Sequence, residues 1–320
     1  MKIKTSIISI FYIGILFLSG CNLSQPISSN SSNTETSKTT EIIESTELNP
    51  TIIIELTITP IPSDTSAPQI SATSTSAVLF PQISSIDSMP MLYISAGEFQ
   101  MGLEGFDSDE RPVHSVYIDS YWIDKYEVSI TQYKACMNAG ACSAPKHTSA
   151  WSITDYFTNP IYENYPVVFV DWNQANDYCT WAGRRLPTEA EWEKAARGND
   201  QRLYPWGNRE DSVSFANIYI EGGPKVAAPV DSFPNGVSIF GVYNLAGNVW
   251  EWVSDFYSDE YYSMSPIDNP AGPVKGIYHV VRGGSYGDLL YDSRVTNRMK
   301  ADPVVNTDFI GFRCAMNIQN

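Results

Sequence analysis

Apolar positions along the chain fall into three regimes. From Ile7 to Leu18 they run almost without interruption behind Lys2 and Lys4, a stretch too short to cross a bilayer comfortably. From 22 to 88 they are sparse, and Ile52-Ile53-Ile54 is an isolated apolar island. From Met89 onward they recur in short clusters between turn residues. Leu92, Ile94 and Phe99 around Gly97 predict a strand and a turn, and Val116, Ile118, Tyr121, Trp122 and Ile123 predict further strand between His114 and Val128. Ser129 is placed to cap a short helix carrying Tyr133 and Cys136. After the compact run Pro166 to Val170, Asp171 caps a helix ending at Gly183. Thr188-Glu189-Ala190-Glu191 is a capping-box pattern whose helix Gly198 closes. Beyond residue 200, turn residues and aromatics alternate with short strands. The pattern predicts an α+β head with much irregular structure, without a fixed-period repeat or a glycine-rich phosphate loop, so neither nucleotide nor flavin is expected.

Composition sharpens these boundaries. The 320 residues include 36 acidic and 20 basic side chains, a formal net charge of −16 with a pI near 4.5. Phosphate-backbone partners need clustered Lys and Arg, so no nucleic-acid partner is expected. Residues 22 to 88 hold 26 Ser or Thr and a single aromatic, Phe80, whereas all eight Trp lie beyond residue 120. Such a stretch buries too little apolar surface to offset the entropy of ordering, and reads as a tether spanning on the order of 45 Å as a coil. The expected division is a signal segment at 1–20, a Ser/Thr-rich tether at 21–88 and a folded head at 89–320.

The first segment ends Leu18-Ser19-Gly20-Cys21, which resembles the lipobox of bacterial lipoproteins. The resemblance implies cleavage before Cys21, lipid on its thiol and amine, and an extracytoplasmic protein held to a membrane; the alternative is an ordinary secretory signal. Several acyl chains anchor stably, since each buried methylene contributes about 0.8 kcal/mol.

Four runs occur in order in the head: Arg184-Arg185-Leu186-Pro187-Thr188-Glu189-Ala190-Glu191-Trp192-Glu193, Asn244-Leu245-Ala246-Gly247-Asn248-Val249-Trp250-Glu251-Trp252, Arg282-Gly283-Gly284-Ser285-Tyr286 and Gly311-Phe312-Arg313-Cys314-Ala315. Together they resemble the formylglycine-generating enzyme family, also called sulfatase-modifying factors, over residues 90 to 317. The resemblance implies that family's C-type-lectin-like α+β fold.

It also implies a chemistry. Active members oxidise a substrate cysteine to formylglycine with dioxygen, using two cysteines that bind Cu(I), three and eight positions after the Ser of Gly-Gly-Ser. Here those positions are Asp288 and Ser293. A carboxylate and a hydroxyl are hard donors, unsuited to Cu(I), so copper is not expected. Trp250 and Ser285 match family positions lining the pocket where dioxygen and the substrate thiol meet, although core packing and a strand-end hydrogen bond explain them equally. Asp288, Asp292, Arg294 and Arg298 form a charged cluster that reads as a polar-ligand site or as solvated surface. A related iron branch needs three His; His114, His147 and His279 are far apart and lack the spacing.

With Cys21 assigned to lipid, four cysteines remain, and they allow three pairings among which sequence does not choose. The resemblance pairs Cys179 with Cys314, leaving Cys136 and Cys142 to close a local loop. A second family bridge maps onto Ala196 and Arg298, both non-cysteine here. In the family the Asn244-to-Glu251 motif binds Ca²⁺, which places ligands at Asn244, Gly247, Val249 and Glu251; the alternative is a turn that only bonds backbone amides. A second calcium set starting at Asn217 and Ile218 finds its acidic partner only loosely, near Glu221 and Gly222.

Two functions follow. The first is a surface lipoprotein whose head has lost formylglycine generation and binds a protein or glycan ligand through residues 286 to 308. The second is an oxidoreductase of the same family, either formylglycine generation or another metal-dependent oxidation or maturation of an exported protein.

Overall fold

A computed structural model describes residues 81–210, 214–223 and 225–318. Cys21, the expected signal and most of the expected tether, Ile52-Ile53-Ile54 included, lie outside these residues. Three short helices form where the caps predict them. In α1 (Ile130–Asn138), α2 (Trp172–Trp181) and α3 (Glu189–Arg197), Ser129, Asp171 and Thr188 each accept the backbone N–H three residues on, and Gln132, Gln174 and Glu191 bond back, completing three capping boxes. Helix α2 stops two residues short of Gly183, which takes φ 73°, and Gly198 follows α3 at φ 71°.

The strands are short because turns interrupt them. The apolar stretch after His114 divides at Asp119-Ser120 into β4 (His114–Ile118) and β5 (Tyr121–Asp124). Strand β3 (Gly97–Met101) pairs only with β4. One four-stranded sheet runs β1 (Gln82–Ile83), β2 (Pro90–Ile94), β5, β10 (Ala315–Asn317), and so brings both ends of the head together. The other runs β8 (Arg298–Ala301), β7 (His279–Arg282), β6 (Trp250–Phe256), β9 (Ile310–Phe312), in which β6 and β9 are parallel. Pro166 to Val170 makes no strand; its valines are buried as irregular backbone. Trp252 and Phe312 pack with α1 and α2 in one apolar cluster, and Trp192 with α3 and β2 to β5 in another.

The expected head boundary at Met89 falls too late. Strand β1 pairs with Pro90 and Met91, and Asp87 is buried with its carboxylate on the Arg184 guanidinium and the Tyr178 hydroxyl. Arg184 also binds Asp124 at 2.5 Å. Residues 82–88 escape a hydrophobicity reading because a charge, not an apolar side chain, holds them.

Helix α3 is buried along its whole length although five of its nine residues are charged. Each charge has a partner. Glu193 accepts from Arg282 at 2.6 Å and Arg197 at 2.9 Å, Glu189 takes two bonds from Arg298, and Lys194 donates to the carbonyls of Gly97 and Ile118. Arg298, at the position of the second family bridge, thus ties β8 to α3 by an ion pair, and is not surface charge as the cluster reading allowed. The two disulfides are Cys136–Cys142 and Cys179–Cys314, the latter linking positions 135 residues apart. Disulfides of this kind belong to oxidising compartments. Among the described residues no helix is long and apolar enough to cross a membrane.

Replacing Asp87 by Ala leaves one face of a buried guanidinium unpaired. The expected loss is about 3 kcal/mol of unfolding free energy, read from urea denaturation against the unaltered chain.

Candidate functional site

The loop that follows β7 delivers Ser285, Tyr286 and Asp288 beside the start of β6. Gly283 and Gly284 make the turn at positive φ, and a Cβ on Gly284 would sit 2.4 Å from Ser293 Oγ, so the backbone passes close over the 3₁₀ turn Leu290–Ser293. Three of the expected pocket residues converge. Asp288 Oδ2 accepts from the Trp250 indole at 2.8 Å, from the Ser285 N–H at 3.0 Å and from the Ser285 hydroxyl at 2.5 Å. Trp250 and Ser285 are buried at 3% and 2% exposure, whereas Asp288 is half-buried. The carboxylate is therefore gripped through one oxygen. Ser293 is buried nearby with its hydroxyl on the Leu289 carbonyl.

Arg294, the fourth expected pocket residue, is engaged elsewhere. It donates to Glu110 at 2.5 Å and to the Tyr291 carbonyl, and lies 3.9 Å from the Tyr291 ring centroid and 4.3 Å from that of Phe106. A guanidinium committed to a buried carboxylate and two aromatic faces is a brace for the loop. Asp292 is pushed above the ordinary carboxylate range by burial and by the neighbouring Asp288 charge.

The expected calcium residues form the floor behind Trp250. Gly247 must be glycine, since a Cβ there would lie 2.4 Å from the Asn217 carbonyl oxygen. Two of the four expected ligands have their side chains engaged within the protein. Glu251 accepts twice from Arg313, at 2.6 and 2.7 Å, and once from the Trp192 indole, so a guanidinium already neutralises its charge. Asn244 turns its amide NH₂ to Glu127 and the Val230 carbonyl. The looser set is not gathered either: the Asn217 amide bonds Val226 and Asn248, while Glu221 and Gly222 are exposed. The three His are scattered: His114 meets the Pro112 carbonyl, His147 packs on Phe169, and His279 stacks between Trp172 and Phe256. Among the described residues no group of three or more His, Cys, Asp and Glu is placed to hold a metal ion.

One residue of the floor carries no sequence signal. Glu127 lies fully buried, accepting from Asn244 at 2.8 Å and from Asn248 at 2.7 Å, and these two amides in turn hold the backbone at Ala228 and Val230. Burial pushes its carboxyl up to about 7; Arg313 opposes that rise and Glu251 adds to it. A lone acid between Tyr126 and Val128 gives no hint of this role. Tyr286 closes the Arg282-to-Tyr286 run: burial and the Asp308 carboxylate raise its hydroxyl far above the usual range, which keeps it a neutral hydrogen-bond donor beside the site.

With this geometry in hand, comparisons give a consistent picture. A family described as "Sulfatase-modifying factor enzyme 1-like domain" matches residues 76–318. The formylglycine-generating enzyme of Mus musculus is 35% identical over 280 residues, covering 70% of this chain and 74% of that protein. The serine/threonine-protein kinase Pkn1 of Chlamydia trachomatis is 35% identical over 242 residues; the match covers 72% of this chain but only 38% of the kinase. Among solved structures, PvdO from Pseudomonas aeruginosa superposes with a TM-score of 0.65 at 31% identity, covering 74% of this chain and 98% of that one.

Burial also raises Asp124 and Asp255 to about 7, so both behave like Glu127. Unfolded carboxyls titrate near 4, so between the two values the folded chain holds protons that the unfolded chain has released. Stability is then greatest at the acid end of that window and falls as pH rises through about 7; the lowered groups Asp87 and Glu189 act in the opposite direction, at more acid pH. Urea midpoints should drop between about pH 5.5 and about pH 8, and Asp255→Asn should shrink that drop.

Proposed function

The chain belongs to the sulfatase-modifying-factor family, and from that premise we propose that it is an exported, lipid-anchored binding module in which formylglycine generation has been lost. The observation that carries this reading is the inventory of sulfur. Cu(I) chemistry in the family needs two free thiolates. The chain has five cysteines. Four are closed into disulfides within the head, and the fifth, Cys21, is assigned to lipid. At the two positions where the family places thiolates stand Asp288 and Ser293.

The state of Asp288 supports the same reading. Its carboxylate occupies hydrogen bonds from Trp250 and Ser285, the two pocket residues kept from the family pattern. An anion fixed there by an indole N–H and a hydroxyl repels an approaching thiolate and offers no soft donor to a copper ion. What remains is a shaped, braced surface. Within residues 286 to 308, Leu289, Tyr291 and Val304 are exposed on a frame held by Arg282, Arg294 and Arg298, and rigid frames with exposed loops are suited to recognition. Export accords with the two disulfides, and anchorage through Cys21 extends the sequence reading.

Incubation of the full chain with Cu(I), dioxygen and a Cys-x-Pro-x-Arg peptide, followed by mass spectrometry for the aldehyde, tests the proposal. The expected result is unmodified peptide under conditions in which an active formylglycine-generating enzyme converts it. Aldehyde formation would overturn the reading.

A further inference from the structure

A cleft of about 620 Å³ opens where the β4–β5 turn, the first turn of α3 and the end of β10 meet. It shares no residue with the Asp288 site, and its size lies within the roughly 300–1,000 Å³ of small-molecule sites. Its charges are matched. Glu191 accepts from Arg185 at 2.6 and 2.7 Å. The rest of that guanidinium goes to the Leu186 carbonyl and to Asn317 Oδ1, so all five of its N–H groups are used. The second cation is Lys194, whose amine donates to the carbonyl of the lining residue Ile118. Burial lowers that amine to about 8, and the Asp119 charge opposes the fall. Glu191 and Asp119 thus stand against Arg185 and Lys194, and the cleft has no net charge to offer an ion.

What the cleft does offer is a set of polar atoms held in place with bonds still to make. Arg185 grips the Asn317 oxygen, and the NH₂ of the same amide has no hydrogen bond among the described residues. Asn269, in a left-handed conformation at φ 45°, clasps Asp119 at two points. Its oxygen accepts from the Asp119 N–H at 2.8 Å and its NH₂ donates to Asp119 Oδ2 at 3.0 Å. Asp119 Oδ1 and the Ser120 hydroxyl are unengaged among the described residues, and Thr188, which accepts from the Glu191 N–H at 3.1 Å, keeps its own proton to give. Ala96 and Ile118 add a small apolar patch. Fixed donors and acceptors with balanced charge match an array of hydroxyls, each of which gives one hydrogen bond and accepts others.

We propose that this cleft binds a short neutral oligosaccharide, whose hydroxyls donate to Asp119 and accept from Asn317, Ser120 and Thr188 while a C–H face of one ring covers Ala96 and Ile118. The inference goes beyond the loss of formylglycine generation and does not depend on it, because no lining residue belongs to the Asp288 site.

The test screens the full chain on an array of neutral, sialylated and sulfated glycans, then measures Kd for the strongest neutral glycan by calorimetry. A neutral glycan should be retained, with an affinity insensitive to salt. Asn317→Asp keeps the oxygen that Arg185 grips and removes the NH₂, and should weaken binding about tenfold or more; Ser120→Ala should weaken it several-fold. Asn199→Asp makes the same change of charge at an exposed position past the far end of α3, and should alter affinity less than about twofold. Retention of no neutral glycan would overturn the inference. So would binding confined to anionic glycans and lost in salt, or a neutral glycan that Asn317→Asp holds as well as the unaltered chain does. Equal losses from Asn317→Asp and Asn199→Asp would reduce the effect to general charge and overturn it too. Aldehyde formation in the preceding assay would leave this inference standing, and absent glycan binding would leave the loss of formylglycine generation standing.

Discussion

Buried arginines meeting carboxylates and loop carbonyls hold this head together. Its helices are nine or ten residues long and its strands seven at most, so regular hydrogen bonding satisfies little of the chain. Arg184, Arg282, Arg298 and Arg313 take up the remainder. Arg282 alone bonds the carbonyls of Val295, Thr296 and Asn297 while pairing with Glu193. A planar five-donor group can serve several irregular carbonyls at once, which a lysine cannot. Buried pairs of this kind add little net stability over an apolar core, yet losing one partner leaves a stranded charge. They act mainly to specify one arrangement of otherwise loose segments.

That scaffold also sets the surroundings of Asp288. Trp250 and Ser285 are positioned by β6 and by the Gly283-Gly284 turn, neither of which depends on what stands at 288. A carboxylate put there finds an indole N–H, a backbone N–H and a hydroxyl already in place. The Asp288 carboxylate is thereby satisfied, and the donor presented at this position is a hard oxygen.

Much of this was legible in the sequence, for reasons that are local. The three capping boxes at Ser129, Asp171 and Thr188 are each written within four residues. The family motifs name Arg184, Arg282 and Arg313, although not their partners. The two disulfides followed from the resemblance together with a small cysteine count. What was hidden depends on distance along the chain. Asp87 lies in a Ser-rich stretch and is recruited by Arg184, 97 residues away. Glu127 is tied to Asn244 and Asn248, 117 and 121 residues on. Hydropathy scores neither. The Asn244-to-Glu251 motif shows the converse: its Glu251 pairs with Arg313, and a motif does not record what faces it.

The placement of β1 has a mechanical consequence. It is an edge strand of two residues, antiparallel to β2. A pull applied ahead of Gln82 would peel these bonds in succession, not shear them together. The load would then fall on the Asp87–Arg184 clasp, and behind it on the sheet that Cys314 fastens to α2. The head is thus built with a soft first stage and a covalently locked second one against a load applied at that end.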